Sequence, residues 1–129
     1  MLQVGRTMKI KIAITTIVLL LVFSYSEVRG ADWVYLGTST SNTKVYYDRE
    51  SFTRPDIDIV RAWIKIELPD QIQIIALEEI NCRTKMSRIL SETKYNKVGD
   101  AQTASNPDAK WRYIVPESMI DELHSILCY

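Results

Sequence analysis

The chain has one histidine, two cysteines and four glycines in 129 residues. So few soft donors, at no recognised ligand spacing, give no reason to expect a resident metal. The glycines are scattered, so there is no Gly-rich phosphate cradle. Neither a paired-cysteine redox motif nor a metalloprotease motif occurs. No cofactor is expected. Charge of one sign is not in excess: 16 basic residues stand against 16 acidic ones. That balance does not suit a dedicated nucleic-acid binder. No apolar run reaches the roughly 20 residues a bilayer-spanning helix needs. Internal repeats and low-complexity tracts are also missing.

What is there begins with a leader. Arg6, Lys9 and Lys11 supply positive charge, Ile12 to Phe23 is an uncharged apolar run, and Ser24 to Gly30 is polar. These are the three parts of a secretory signal peptide, here residues 1–30. Val28 and Gly30 suit the −3 and −1 positions, which puts cleavage before Ala31. Ser24 and Ser26 offer a second cut, before Glu27. An uncleaved N-terminal anchor is the alternative. Met8 is a candidate for the true start. No cysteine lies near the end of the run, so a lipid anchor is not expected. The expected location is the periplasm or the medium, with membrane contact only through the signal segment before cleavage.

Residues 31–129 have the size of one domain. They hold 12 basic and 15 acidic residues, a net charge of −3. A core of this size is modest, and a covalent staple helps it. Cys82 and Cys128 are expected to bond to each other in an oxidising compartment. Two free thiols are the alternative. A closed loop of this length predicts about 4 kcal/mol of stabilisation from chain entropy.

Trp33 to Leu36 reads as a first strand, Gly37 to Thr43 as a polar turn, and Lys44 to Asp48 as a second strand. Asp48 to Pro55 reads as a connection with room for one helical turn. Ile57 to Leu68 is the clearest strand. Val60, Ala62, Ile64, Ile66 and Leu68 fall on one face, and Arg61, Trp63, Lys65 and Glu67 on the other. Such alternation means one buried and one wetter face. Ile72 to Cys82 fits a buried strand or a helical turn. Arg83 to Lys94 reads as extended, with Met86 and Leu90 facing inward. Asn96 to Lys110 is a long hairpin connection or a weak edge strand, and Trp111 to Val115 a last strand.

Pro116 and Ser118 then announce a helix. Ser118 can cap it, with Asp121 three residues on in a capping-box-like pair. Met119, Ile120, Leu123, Ile126 and Leu127 form an apolar stripe that needs a sheet face to cover. Cys128 would point away from the stripe, so the helix is expected to fray near Leu127. The fold class is α+β: an antiparallel meander with a C-terminal helix on one face and one disulfide. A pure β-sandwich is the runner-up, but it leaves the stripe unexplained.

Catalytic candidates are thin. His124 sits at the edge of the helical stripe without a local nucleophile or orienting acid. Glu78 and Glu79 are adjacent in an extended segment and so point to opposite faces. No enzymatic activity is expected. Trp63 lies on the wet face between Arg61 and Lys65, the composition of an interface anchor. Cover from elsewhere in the chain is its bland alternative. Arg83, Lys85, Arg88, Lys94 and Lys97 stand against Glu92 alone, a local charge of +4. That run could steer an acidic partner, or be an ordinary solvated face. The candidate partner-binding residues are Arg61, Trp63, Lys65, Arg83, Lys85 and Arg88.

The order of landmarks resembles the surface-adhesin protein E family of small exported bacterial proteins. It rests on Trp33 soon after the leader, Tyr47-Asp48, Trp63 with Lys65 in a long strand, Asn81-Cys82-Arg83, then Trp111, Pro116, Ser118 and Cys128. The resemblance implies an antiparallel sheet with a C-terminal helix, a Cys82–Cys128 bond, and room for a homodimer. It further implies an adhesin for host matrix proteins such as vitronectin and laminin. The family's namesake is lipid-anchored, and this chain departs there. The expected function is an exported protein-binding module whose partner is a protein of unknown identity. The alternative is a periplasmic inhibitor of an enzyme, lysozyme-inhibitor-like, with the Gly37-to-Lys44 turn as its loop.

Overall fold

The computed structural model describes residues 5, 6, 8–11, 14 and 30–129. The apolar run of the leader and the cut before Ala31 fall largely outside the described residues. Residues 5, 6, 8–11 and 14 are helical. Ala31–Tyr129 forms a compact unit of its own.

That unit is an antiparallel sheet with one C-terminal helix. Its strands are β1 (Trp33–Thr38), β2 (Lys44–Asp48), β3 (Thr53–Asp56), β4 (Ile59–Glu67), β5 (Gln73–Asn81), β6 (Met86–Tyr95), β7 (Ala101–Ser105) and β8 (Arg112–Tyr113). The order across the sheet is β1-β2-β4-β5-β6-β7, with β3 on β4 and β8 on β6. β2 pairs with β4 from Ile64 to Glu67, while β3 pairs with its other end, from Ile59 to Arg61. β6 is shared the same way: β7 takes Ser91 to Tyr95, and β8 takes Met86 and Ser87. The meander expected from the sequence is therefore present, with split neighbours on two of its strands.

Val60, Ala62 and Ile64 of β4 alternate inward as their period-two pattern requires, and all three are buried. They meet Val45, Ile80, Ile114, Leu123 and Leu127 in one core. The helix spans Met119–Leu127. The Ser118 side chain accepts from the Asp121 N–H at 3.2 Å, and the Asp121 carboxylate accepts from the Glu117 N–H at 2.8 Å. Leu123 and Leu127 are buried, while Met119 and Ile120 pack at the core's edge. A Cβ on Gly37 of β1 would meet the Met119 Sδ and Cε at 3.1 Å, so glycine gives the helix its close approach.

Cys82 and Cys128 are bonded, with Cα atoms 5.4 Å apart. The helix ends at Leu127, and Cys128 leaves helical geometry to reach the turn between β5 and β6. Around it, His124 Nε2 lies 3.2 Å from the Cys82 carbonyl oxygen, and Arg54 Nη2 donates to the Leu127 carbonyl at 3.1 Å.

Several local expectations need correction. The Asp48-to-Pro55 connection contains no helical turn; it leads into β3, which includes Pro55. Pro55 is tolerated because β3 pairs on one side only, leaving no ladder bond to lose there. The ambiguous Ile72-to-Cys82 segment is a strand. The final strand shrinks to two residues. Ile126 is 44% exposed, so the helix stripe is narrower than its sequence suggests. Met86 pairs with Asn81 and lies on the face away from the helix. The register slips at Leu77/Glu78, where Leu90 is the extra residue of a bulge, and that reverses the phase of β6.

Candidate functional site

Register determines which side chains share the face without the helix. Partners directly opposite in an antiparallel ladder point the same way. Trp33 and Tyr35 on β1, Tyr46 on β2, Arg61, Trp63 and Lys65 on β4, Ile75, Leu77 and Glu79 on β5, and Arg88 on β6 therefore share one open face. Among the described residues no helix covers it.

One end of this face is an aromatic cluster around Lys65. The Lys65 Nζ sits 4.3 Å from the Tyr46 ring centroid and 5.2 Å from that of Trp33. Both lie within cation–π range. It also pairs with Glu67 at 3.3 Å, and the Tyr46 hydroxyl donates to Glu67 at 3.2 Å. Tyr35 meets Tyr46 edge-on, with centroids 5.5 Å apart. Burial, together with the Glu67 carboxylate, raises the Tyr46 phenol above its ordinary range.

The other end is a charged row across three strands. Glu79 is 2% exposed and sits between two guanidiniums. Arg61 Nη2 reaches its Oε1 at 2.6 Å, and Arg88 Nη2 reaches its Oε2 at 2.8 Å. Burial works against this carboxylate's charge, but hydrogen bonds from Arg61 and Arg88 outweigh it. The Glu79 pKa is held below the usual carboxylate range. The Arg88 guanidinium lies 4.5 Å from the Trp111 ring centroid and donates to the Ala109 carbonyl. Between the two ends, half-buried Trp63 stands opposite Leu77, one register row from Ile75.

Four of the six predicted partner-binding residues thus come together: Arg61, Trp63, Lys65 and Arg88. Arg83 and Lys85 do not join them. They lie in the β5–β6 turn, where Arg83 pairs with Asp58 at 3.0 Å and Lys85 with Asp121 at 2.8 Å. Much of the local positive charge is therefore matched inside the fold. Sequence reasoning missed Glu79 as the hub of the arginines, and missed Trp33, Tyr35 and Tyr46 as companions of Lys65. Their period-two spacing was visible, but only the register shows which strands lie side by side. The Gly37-to-Lys44 turn is closed on itself, with Ser39 Oγ 2.8 Å from Ser41 Oγ and Ser41 Oγ 3.3 Å from Thr43 Oγ1.

The family model for surface-adhesin protein E matches residues 33–129. The chain belongs to that family. No curated protein and no solved structure matches it.

Proposed function

We propose that this member of the surface-adhesin protein E family is exported and binds a protein of the extracellular matrix through its open sheet face. The observation that carries the reading is the composition of that face. Trp33 and Tyr46 flank Lys65, Tyr35 meets Tyr46 edge-on, and Trp63 shares their face beside the arginine pair held by Glu79. Tyr, Trp and Arg are the residues enriched at interface centres. Tyrosine and tryptophan have only two side-chain torsions each, so little side-chain freedom is lost on docking. Export agrees with the family and the Cys82–Cys128 bond. N-terminal sequencing of the exported protein should find Ala31.

The test is surface plasmon resonance against immobilised laminin and vitronectin, with serum albumin as the control. The reading predicts saturable binding to at least one matrix protein and none to albumin. Absence of binding to both matrix proteins overturns it. A second copy of this chain is the competing occupant of the face, and light scattering distinguishes it by a doubled mass.

A further inference from the structure

The helix-covered side of the sheet is not covered to its end. Beyond the helix, a cleft of about 480 Å³ opens between β5 and β6, β8, and the 106–110 segment. That volume lies in the range of small-molecule sites, about 300–1,000 Å³. Glu78 lines the cleft and is only 6% exposed. Its neighbour Glu79 is paired to two arginines on the other face, but among the described residues Glu78 has no cationic partner. The Ser87 hydroxyl hydrogen-bonds to it and favours its charged form. A buried carboxyl without a counter-charge is costly unless something supplies one.

The walls and rim carry complementary features. Ile89, Ile114 and Ile120 are apolar, and Ile89 is 43% exposed despite its place in a central strand. Lys110 and Arg112 line the cleft and make no ion pair among the described residues. Arg88 also borders it, but its guanidinium is committed to Glu79 and Trp111. The ionisable residues on the cleft's side of the sheet and at its rim are thus Glu78, Lys110 and Arg112, whereas Arg88 and Tyr113 border it from strand positions whose partners, Glu79 and Met86, lie on the open face.

We propose that this cleft binds a small zwitterion with an apolar body, of amino-acid to dipeptide size. Its ammonium pairs with the Glu78 carboxylate, its apolar body lies on Ile89, Ile114 and Ile120, and its carboxylate meets Lys110 and Arg112. A simple anion would leave Glu78 unpaired, and a simple cation would face two unmatched positive charges at the rim. Only a ligand with both charges satisfies both ends.

Isothermal titration of the full chain tests this with three probes: L-leucyl-L-leucine, its N-acetyl derivative and its C-terminal amide. The dipeptide should bind, at least ten-fold more tightly than the acetylated form and at least three-fold more tightly than the amide. Binding should strengthen from pH 5.5 to 7.5 as Glu78 ionises. Glu78→Gln should weaken it at least ten-fold. Ile89→Trp, at a partly exposed strand position, should block the cleft in a chain that still folds. No heat with the dipeptide at millimolar concentration, equal binding of the acetylated form, or undiminished binding by Ile89→Trp would overturn the proposal.

Discussion

Glu79 offers its carboxylate to the open face between Arg61 and Arg88, whereas Glu78 turns into the apolar side of the same strand. Removing Glu79 leaves two guanidiniums without their shared partner. Breaking a fully buried pair costs about 3–5 kcal/mol. Both arginines retain some access to water, so Glu79→Ala should cost less, about 2–3 kcal/mol in urea unfolding at pH 7. Glu78 behaves in the opposite sense. Burial raises its pKa from 4.5 to about 7, offset only in part by Ser87. The folded state therefore holds a proton there that the unfolded chain has released. This contribution is complete below about pH 4.5 and is lost as pH rises toward about 7. A shift from 4.5 to about 7 corresponds to about 3 kcal/mol. Stability should fall by that order between pH 5 and 8, and Glu78→Gln should flatten the profile. A wild-type profile level across that window would show that Glu78 titrates normally.

The helix and β4 carry most of what the sequence made legible, because each has a strong period and one buried stripe. Leu123 has no exposed surface, and Ser125 lies outside the stripe. Leu123→Ala should cost about 2–5 kcal/mol, and Ser125→Ala within about 0.5 kcal/mol. Equal costs in thermal unfolding would mean the helix is not docked through Leu123. Where periodicity was weak or broken, the reading ran out. β3 is fully exposed and contains a proline, so nothing in its composition announces a strand. β5 carries apolar residues on both faces, which blurs strand against helix. In β6 the extra residue Leu90 shifts the phase, so the alternation that points Met86 inward in the sequence places it on the open face in the structure. The open face suffered differently. The alternation of β4 puts Arg61, Trp63 and Lys65 on one face, but Glu79, Tyr46 and Trp33 join that face only through pairing between strands. Arg83 and Lys85 are close to Arg88 in sequence and yet belong to a turn with acidic partners of its own.

The disulfide ties the last turn of the helix to the far end of β5, and so joins the two layers of the domain. Cys128→Ser should lower stability by up to about 4 kcal/mol, read as a shift of the urea midpoint between oxidised wild type and variant. With the layers fixed, one side of the sheet is spent on the core and the other faces outward with its aromatic and basic residues. Arg83→Glu with Lys85→Glu should therefore disturb the turn pairs and leave partner binding nearly unchanged. The most direct test is the affinity of Trp63→Ala for the matrix protein that wild type binds, with Ser125→Ala on the helix as reference. A central tryptophan anchor is worth about 2 kcal/mol or more, roughly thirty-fold in affinity. The open-face account predicts at least that loss for Trp63→Ala at every salt concentration, and wild-type affinity for Ser125→Ala. Unchanged affinity in a folded Trp63→Ala protein would contradict it.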